Sequence, residues 1–323
     1  MKKSLIAMAV LAASGASFAQ SSVTLYGIAD IWFGQTSGTG QTTQTVLESG
    51  GVSGSRWGLK GSEDLGGGLK ANFLLEQGVK LDTGAGAAGQ AFSRQSYVGF
   101  SGGFGEVKLG KIWTAYDDIS GAANAAFDSA LAPVSNVWLS TGYNANPANG
   151  IYYVSPDFGG FTAALSYALG EDKTATLSAS SVLALNAQYN KGALYAGFAY
   201  QEEKPQGDGE KTKFTRLNGT YDFGMAKALV GYGKKKAGQA ETTEWELGAD
   251  VPVSSALTLS GGFARSSDNA AAGDAVRKGY GFAAAYSLSK RTTAYGGFQK
   301  ATTTVANVDT DAKVFAVGVK HVF

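Results

Sequence analysis

Short segments with a period of two run through most of the chain, and this pattern constrains the fold more than any other feature. In residues 314–323 the odd positions carry large side chains, such as Phe315 and Val317, and the even positions carry small or charged ones, such as Ala316 and Gly318. This alternation predicts β-strands that are apolar on one face. No apolar run beyond the N-terminal segment approaches the ~18 residues of a transmembrane helix. If such a chain inserts into a membrane, it must therefore cross it with strands.

The second face of these segments distinguishes two kinds of β protein. Trp245 and Leu247 alternate with Glu244 and Glu246, and other segments likewise place small or charged residues opposite aromatic ones. In a soluble sandwich the apolar face would meet a core and the polar face would meet bulk water. In a membrane barrel the apolar face meets lipid and the other face lines a water-filled interior. The recurrence of Gly, Ala and charge opposite aromatic residues favours the barrel.

The alternating segments number sixteen, an even number as bacterial barrels require. They cover residues 22–34, 52–64, 68–80, 91–101, 104–112, 149–155, 160–169, 180–189, 193–203, 212–222, 225–236, 242–251, 255–266, 277–287, 291–301 and 313–323. Tight connections such as 64–67 and 287–290 alternate with longer polar ones such as 202–211 and 266–274, as short periplasmic turns and long external loops would. The pattern predicts an all-β fold, a transmembrane antiparallel β-barrel of about 16 strands. Residues 113–149 lack alternation, and so long a segment indicates a functional loop.

The N-terminus has the three parts of an export signal. Lys2 and Lys3 form a positive start, residues 5–11 form an apolar core, and Ser17-Phe18-Ala19 gives a small-x-small cleavage pattern. We therefore expect residues 1–19 to be a cleaved signal peptide and residues 20–323 to form one barrel domain. Loss of the two lysines lowers the Lys plus Arg count from 27 to 25 against 26 Asp plus Glu, so the formal net charge becomes −1. This balance gives no electrostatic reason for nucleic-acid binding.

The composition argues against a catalytic site or a metal site. The chain has no Cys, and its single His, His321, lies on the last predicted strand. A Ser/His/Asp triad or a His-rich metal site would have to be built around a residue at the barrel rim. We expect no enzymatic activity, no cofactor and no metal site. An outer-membrane hydrolase is the alternative, and the substitution His321→Ala would test it.

Several cationic residues fall on predicted interior faces. Arg56 and Lys60 are four residues apart, so they share a strand face, opposite the large apolar residues of that strand. With the apolar residues towards lipid or a subunit partner, the two cations point into the interior. By the same reasoning Arg94 shares an interior face with Val98, opposite Tyr97. The alternative is that these cations are wall charges held in structural ion pairs.

Five motifs occur in a fixed order and together span almost the whole mature chain. They are Ser22-Val23-Thr24-Leu25-Tyr26-Gly27 with Asp30, residues 55–66 (SRWGLKGSEDLG), residues 94–100 (RQSYVGF), residues 153–161 (YVSPDFGGF) and residues 286–292 (YSLSKRT). With these motifs the chain resembles the general trimeric porins of Gram-negative bacteria, specifically their β-proteobacterial branch. Each motif alone is weak, but the ordered set is specific.

The resemblance implies a fold, a function and a location. It implies a homotrimer of sixteen-stranded barrels in the cell outer membrane, each with a third external loop that folds inward and narrows the pore. It also implies a water-filled channel for passive diffusion of ions and small hydrophilic solutes. The partners it implies are the other subunits, outer-membrane lipid and lipopolysaccharide, and the barrel assembly machinery. A barrel used mainly as an adhesin or receptor scaffold is the alternative, and a poorly conducting interior would identify it.

The site expected from the resemblance has a basic wall and an acidic loop. The pore-lining basic residues are Arg56, Lys60, Arg94 and Lys111, and the constriction-loop acidic residues are Asp117, Asp118 and Asp128. Opposite charges on the two sides of a narrow throat would set a transverse field there.

Two departures from the family pattern weaken the expected selectivity. Family members often read Gly-Arg-Gln after the fifth strand, where this chain has Gly110-Lys111-Ile112, so the positive charge remains without the bidentate fork of an arginine. An arginine is common before the sixth strand, where this chain has Tyr143-Asn144-Ala145-Asn146-Pro147. We therefore predict a mild rather than a strong preference for anions.

The last residue, Phe323, has two possible roles. A terminal aromatic in this family resembles the assembly signal that the barrel assembly machinery recognises. Aromatic residues also form belts at both membrane interfaces, which would explain Phe323 without any signal. Both roles can apply to the same side chain.

Overall fold

The structure is a computed structural model that describes residues 22–323. The predicted signal peptide, residues 1–19, lies outside the described residues. Between residues 22 and 323 no helix is both long and apolar enough to cross a membrane. The same part of the chain contains no group of three or more acidic or His side chains that could hold a metal ion.

Strands make up most of the described chain. In order, they are β1 (Ser22–Gly38), β2 (Gln44–Ser49), β3 (Arg56–Gly66), β4 (Leu69–Gly78), β5 (Gln95–Gly102), β6 (Gly105–Lys111), β7 (Gly150–Val154), β8 (Phe161–Leu169), β9 (Ser181–Lys191), β10 (Leu194–Lys204), β11 (Thr212–Asp222), β12 (Lys227–Ala237), β13 (Ala240–Pro252), β14 (Leu257–Asp268), β15 (Val276–Ser287), β16 (Thr292–Val305) and β17 (Val308–Val322). Two single turns, α1 (Asp117–Ser120) and α2 (Ala125–Asp128), and two 3-10 turns (Pro133–Asn136 and Ala270–Ala272) complete the regular structure.

The sheet is antiparallel throughout and closes where β1 pairs with β17. The first part of β1 pairs with β3, from Ser22 opposite Ser62 to Ile28 opposite Arg56, and its second part pairs with β2. β2 and β3 therefore share one position in the barrel, which has sixteen positions. The predicted sixteen-stranded transmembrane antiparallel barrel is confirmed, and β2 is the one strand without a predicted counterpart.

The break between β2 and β3 has a local cause. The Asp30 carboxylate, which is fully buried, accepts hydrogen bonds from the backbone N–H groups of Gly51, Val52 and Ser53 at 3.0, 3.0 and 2.8 Å. Tyr295 donates its hydroxyl to the same carboxylate at 2.5 Å. These bonds draw residues 50–55 off the sheet, so the predicted strand at 52–64 is wrong in its first residues and begins at Arg56.

Connections alternate between the two rims of the barrel. The termini rim carries Ser22, Phe323 and short turns such as residues 67–68 and 288–291, and the loop rim carries longer segments such as 79–94 and 112–149. The predicted rhythm of short and long connections is thus present. The loop rim departs from it at residues 238–239 and 306–307, which are tight two-residue turns.

The two faces of the strands follow the predicted alternation on β13–β17. Large side chains such as Trp245, Leu247, Phe282 and Phe315 are exposed on the outer surface, where a membrane would cover them. Their neighbours in sequence point inward. The long connection after β6, residues 112–149, occupies part of this interior, and we call it the constriction loop.

Candidate pore constriction

The constriction loop begins with bonds to three neighbouring strands. Thr114 donates its hydroxyl to Gln201 on β10 at 2.8 Å, and the N–H of Ala115 donates to the hydroxyl of Ser166 on β8 at 2.9 Å. Asn186 on β9 donates its amide to the carbonyl of Ala115 at 2.6 Å. Small polar residues on interior faces therefore fix the entry of the loop into the barrel.

The tip of the loop is held by β13 and β14. The N–H of Ala125 donates to Glu246 at 3.0 Å and that of Ala126 donates to the hydroxyl of Ser260 at 2.8 Å. Ala126 and the two residues after it have φ values of +51°, +64° and +50°. Non-glycine residues adopt this left-handed region at a cost of about 1–3 kcal/mol each, so they persist where surrounding contacts impose it. The two wall acceptors supply such contacts.

Glycines on the wall make room for this tip. A Cβ atom added to Gly248 or Gly262 would lie 2.7 or 2.5 Å from the Cβ of Ala125. Both distances are well below ordinary van der Waals contact. The small residues that the sequence places on the interior face of β13 and β14 therefore serve the close approach of the loop to the wall.

Charged wall residues beneath the loop are closed off from the lumen. Arg216 on β11 is fully buried, donates to the side-chain oxygen of Asn124, and lies with its guanidinium 4.7 Å from the ring centre of Trp138. Glu244 on β13 is also fully buried and accepts hydrogen bonds from the backbone N–H groups of Leu139 and the residue after it. These ionic groups bind the loop rather than face the solute path.

A basic cluster, formed by Arg56 on β3 and Arg94 just before β5, lies in the barrel interior beside Glu76 on β4. The side chains of Arg56 and Arg94 share one buried carboxylate, with Nε to Oε distances to Glu76 of 3.4 and 2.8 Å. Tyr26 donates its hydroxyl to the same carboxylate at 2.8 Å. The guanidinium of Arg94 lies 5.0 Å from the ring centre of Trp113, where the constriction loop leaves the wall. Two of the predicted basic residues are thus brought together, and they form the structural ion pairs that the sequence left open.

The other two predicted basic residues lie apart from this carboxylate. Lys60 is exposed in the interior, with its ammonium 5.1 Å from the ring centre of Tyr26. Lys111, the last residue of β6, donates to the carbonyl of Asn146 at 2.7 Å. It lies two residues after Leu109, so the two residues share a strand face, and Leu109 is exposed on the outer surface. The structure therefore does not bring Lys111 into the basic cluster.

Strand alternation does not explain the interior position of the Arg94 side chain. Val98, predicted to share its interior face, is 52% exposed on the outer surface, and Tyr97 instead points inward and lies near the ring of Tyr152. Arg94 precedes the first residue of β5, so strand alternation does not apply to it. Its predicted face relative to Val98 is wrong, although its side chain does lie in the interior.

The three loop carboxylates each have a hydrogen-bond donor. Tyr143 donates to Asp117 at 2.5 Å, Tyr152 and Asn186 donate to Asp118 at 2.8 Å each, and Asn124 donates to Asp128 at 2.6 Å. Partial desolvation by the surrounding protein raises the pKa of all three; for Asp118 the pKa reaches about 6, although its two donors act in the opposite direction. Desolvation therefore prevails over hydrogen bonding for these carboxylates.

Sequence reasoning missed Lys108 as a member of the site. Its ammonium lies 4.8 Å from the ring centre of Tyr152, whose hydroxyl binds Asp118, and 3.3 Å from Glu106. Its positive charge lowers the pKa of Asp118. Lys108 alternates with Val107 and Leu109 on β6, so the period-two pattern that placed Arg56 could have placed it too.

Known proteins share the sequence pattern and the fold of this chain. A profile of the Gram-negative porin family matches residues 5–307. The chain belongs to that family. Outer membrane porin protein 32 of Delftia acidovorans is 37% identical to it over 316 residues, covering 92% of this chain and 88% of the relative. The solved anion-selective porin from Comamonas acidovorans superimposes with a TM-score of 0.80 at 29% identity, covering 94% of this porin and 100% of that chain.

A more distant structure shares the fold alone. The trimer form of OmpT from Vibrio cholerae has a TM-score of 0.69 at 16% identity, covering 94% of this porin and 99% of that chain. Membership of the family makes this porin a multi-pass β-barrel of the cell outer membrane. It also places the porin among channels rather than enzymes, as the sequence predicted.

Proposed function

We propose that this porin lets ions and small hydrophilic solutes diffuse passively across the outer membrane with a mild preference for anions. The main support for the proposal is the unequal access of the charges on the two walls of the barrel. The cations near the throat, Arg56, Lys60, Arg94 and Lys108, are exposed or half-buried, whereas Glu244 and Glu246 on the far wall are fully buried beneath the constriction loop. A solute therefore meets the basic wall more directly than the acidic one, and a cationic wall favours anions.

The preference is mild for reasons found at the same residues. Glu76 offsets one of the two arginine charges, and Glu106 lies close to Lys108. The loop carboxylate of Asp118 remains largely ionised at neutral pH, because its raised pKa, at about 6, lies below 7. Lys111 adds little, since it is bonded where the loop meets the barrel wall. The related porin that is described as anion-selective supports the sign of the preference.

A solute-flux measurement separates this function from a scaffold barrel. Liposomes that contain the purified porin should swell in isotonic solutions of small uncharged sugars and should swell progressively more slowly as the sugar becomes larger. The same porin, heated until its barrel unfolds, is the control. Absence of swelling with the smallest sugars, from protein that is folded and inserted, would contradict the channel and favour an adhesin or receptor scaffold.

We also propose that the porin functions as a homotrimer. The support is the trimer form solved for OmpT, an outer membrane protein of Vibrio cholerae with the same fold. Unheated porin from outer membranes should migrate in detergent electrophoresis as an oligomer of three chains and convert to a monomer on boiling. Chemical cross-linking that stops at the monomer or dimer in intact membranes would contradict the trimer.

A further inference from the structure

Residues 50–55, which interrupt the wall between β2 and β3, lie against the interior face of β1. Asp30 and Trp32 share that face, and both side chains are buried. The hydroxyl of Ser55 exchanges two hydrogen bonds with the backbone of Asp30, at 2.8 and 3.0 Å. Val52 packs against the apolar cluster that contains Trp32. We call residues 50–55 the inward segment.

The inward segment joins the constriction loop to the basic cluster. The carbonyl of Gly51 accepts a hydrogen bond from the N–H of Ala130, in the constriction loop, at 2.8 Å. The carbonyl of Gly54 accepts a hydrogen bond from the guanidinium of Arg56 at 3.1 Å. A Cβ atom added to Gly54 would lie 3.4 Å from the guanidinium of Arg94, so both arginines of the cluster lie beside this end of the segment. The position of the loop relative to the cluster therefore depends on the inward segment.

The carboxylate of Asp30 serves the inward segment alone. Its two oxygens accept hydrogen bonds from three successive backbone N–H groups of the segment and from the hydroxyl of Tyr295. Whereas Glu76 neutralises two arginines, Asp30 forms no ion pair within residues 22–323. A buried carboxylate is costly unless it is hydrogen-bonded, and bonds to an ionised acceptor are about twice as strong as neutral ones. The charge of Asp30 thus holds backbone in place and does not neutralise a cation.

The inward segment fits closely against the wall at Gly51. A Cβ atom added to Gly51 would collide with the hydroxyl of Tyr295 and would lie 2.9 Å from the ring of Trp32. The ring of Tyr295 in turn lies over Gly318 on β17, where an added Cβ would overlap it. Because Tyr295 is fixed in this way, the segment reaches the wall only with a glycine at position 51.

We propose that Asp30 is a positioning residue for the selectivity of the pore, because it holds the inward segment and thereby fixes the constriction loop relative to the basic cluster. The role rests on the proposed channel function, whose selectivity it refines. Asp30 is fully buried, so it contacts no solute itself. It acts through the distance between a passing ion and the cations, since the attraction weakens with distance and with intervening water.

The direction of the effect separates this positioning role from the charge of Asp30. A carboxylate in the barrel interior repels anions, so the loss of its charge alone would strengthen the preference for chloride. Release of the inward segment would weaken that preference, because the loop and the basic cluster would no longer be held together. The two roles therefore predict opposite shifts for the same substitution.

Single-channel recording in a dilute potassium chloride gradient tests the proposal, because only folded and inserted barrels conduct. Asp30→Asn keeps the size of the side chain but replaces one acceptor oxygen with an amide group that can only donate. This variant should lose most of the chloride preference and should show larger current fluctuations. Asp268→Asn is the matched control, since its buried carboxylate binds Arg277 and Thr242 instead of the inward segment, and it should keep the chloride preference.

The variant Gly51→Ala displaces the inward segment without a change in charge. Its added methyl group would collide with Tyr295, so the chloride preference should fall as it does in Asp30→Asn. Gly103→Ala, in the termini-rim turn between β5 and β6, adds the same group where nothing lies within 4 Å and should behave as the unaltered porin. If Asp30→Asn gives no inserted barrel, the comparison of the two alanine variants decides.

A stronger or unchanged chloride preference in Asp30→Asn would overturn the proposal. It would also fall if Gly51→Ala behaved as Gly103→Ala does. In both cases the unaltered porin still prefers chloride, so the proposed channel function stands. If the unaltered porin conducts without a preference for chloride, the proposed selectivity fails instead, and the current fluctuations of the variants then decide whether Asp30 positions the loop.

Discussion

At the scale of single residues, the same charge acts differently according to what covers it. Arg216 and Lys60 both point into the barrel, but Arg216 is fully buried beneath the constriction loop and Lys60 is exposed in the interior. Glu246 and Asp118 differ in a similar way, since the first binds the backbone of the loop and the second lies on the loop surface. The total charge of the chain therefore does not determine the selectivity, which depends on the charges that remain accessible.

The loop carboxylates should oppose anion passage. Replacing Asp117 and Asp118 together by Asn removes negative charge from the throat without a change in side-chain size. A carboxylate within about 4 Å of a passing ion interacts with it by several kcal/mol at an effective dielectric near ~20, so removal of the carboxylates should move the reversal potential in a dilute salt gradient towards anions. Asp222→Asn, with its side chain exposed near the termini rim, is the control. A reversal potential equal to that of the control would show that these carboxylates lie outside the ion path.

Selectivity should also depend on pH. The pKa of Asp118 is raised to about 6, so this group loses its charge as the pH falls from 7 to 5, and the pKa values of Asp117 and Asp128 are raised in the same direction. Loss of negative charge should strengthen the anion preference over this range. Because the folded state binds these protons more tightly than the unfolded state, their protonation also stabilises the folded state as the pH falls. Reversal potentials at pH 7 and pH 5 measure the effect, and Asp118→Asn should reduce it; the same pH response in that variant would contradict the assignment.

At the scale of elements, the constriction loop depends on a few wall residues. Its tip adopts left-handed backbone at three successive residues and is held there by Glu246 and Ser260. Gly248 and Gly262 leave the space that the tip occupies. The polar and small residues on the interior face of β13 and β14 thus determine where the tip of the constriction loop meets the wall.

Removing the two acceptors should loosen the loop. The variant Glu246→Ala with Ser260→Ala leaves the buried N–H groups of Ala125 and Ala126 without partners, at a cost of about 1–3 kcal/mol each. We expect larger current fluctuations in single-channel recordings and a lower temperature of thermal unfolding. Thr258→Ala, on the same strand face as Ser260 but without a hydrogen bond to the loop in residues 22–323, is the control. If the double variant has the same noise and the same thermal stability as the control, other contacts hold the tip.

The strands could be predicted from the sequence because alternation is a local property of each segment. The interruption at residues 50–55 could not, since it depends on Asp30, which is some twenty residues away and binds backbone amides that any sequence would present. The interior position of Arg94 depends in the same way on Glu76, which lies on another strand. A period of two indicates which face a side chain occupies within a strand. It does not indicate the direction of side chains in segments that leave the sheet.

The strand face of a predicted pore-lining residue could be predicted only where that residue lies within a strand. Arg56 and Lys60 were placed correctly on the interior face of β3 by their spacing. The contacts between loop and wall were not predictable, because they join residues more than a hundred positions apart, as in Ala125 and Glu246. Glu244 and Glu246 appeared in the sequence only as wall charge, and the structure adds that they bind the loop.

At the scale of the whole molecule, the barrel closes at the seam between β1 and β17. Phe323 and Gly27 exchange two backbone hydrogen bonds of 3.0 Å at the termini rim. The ring of Phe323 lies over Gly27, where an added Cβ would come within 2.3 Å of it. The last residue therefore belongs to the closure of the barrel, in addition to any role as an assembly signal.

The assembly role of Phe323 can be separated from its structural role. Deletion of Phe323 should reduce folded oligomer in the outer membrane far more than deletion of residues 207–209 in the connection between β10 and β11. Phe323→Ala keeps the backbone bonds and removes only the ring, so a similar loss of folded oligomer in vivo with normal refolding in detergent would indicate recognition of the ring. Equal yields of the Phe323 deletion and the 207–209 deletion would show that the terminal residue carries no signal.

The most direct test of the whole account is the reversal potential of single channels in a dilute potassium chloride gradient, measured for the unaltered porin and for Arg56→Gln with Arg94→Gln. We predict that chloride is the more permeant ion in the unaltered porin. The double variant should shift clearly towards potassium, because Glu76 then loses both cations that neutralise it. The difference should shrink in molar salt, where the Debye length is only ~3 Å. The control variant Lys290→Gln with Arg291→Gln should behave as the unaltered porin. A preference for potassium in the unaltered porin, or a double variant with an unchanged reversal potential, would contradict the placement of the basic cluster in the ion path.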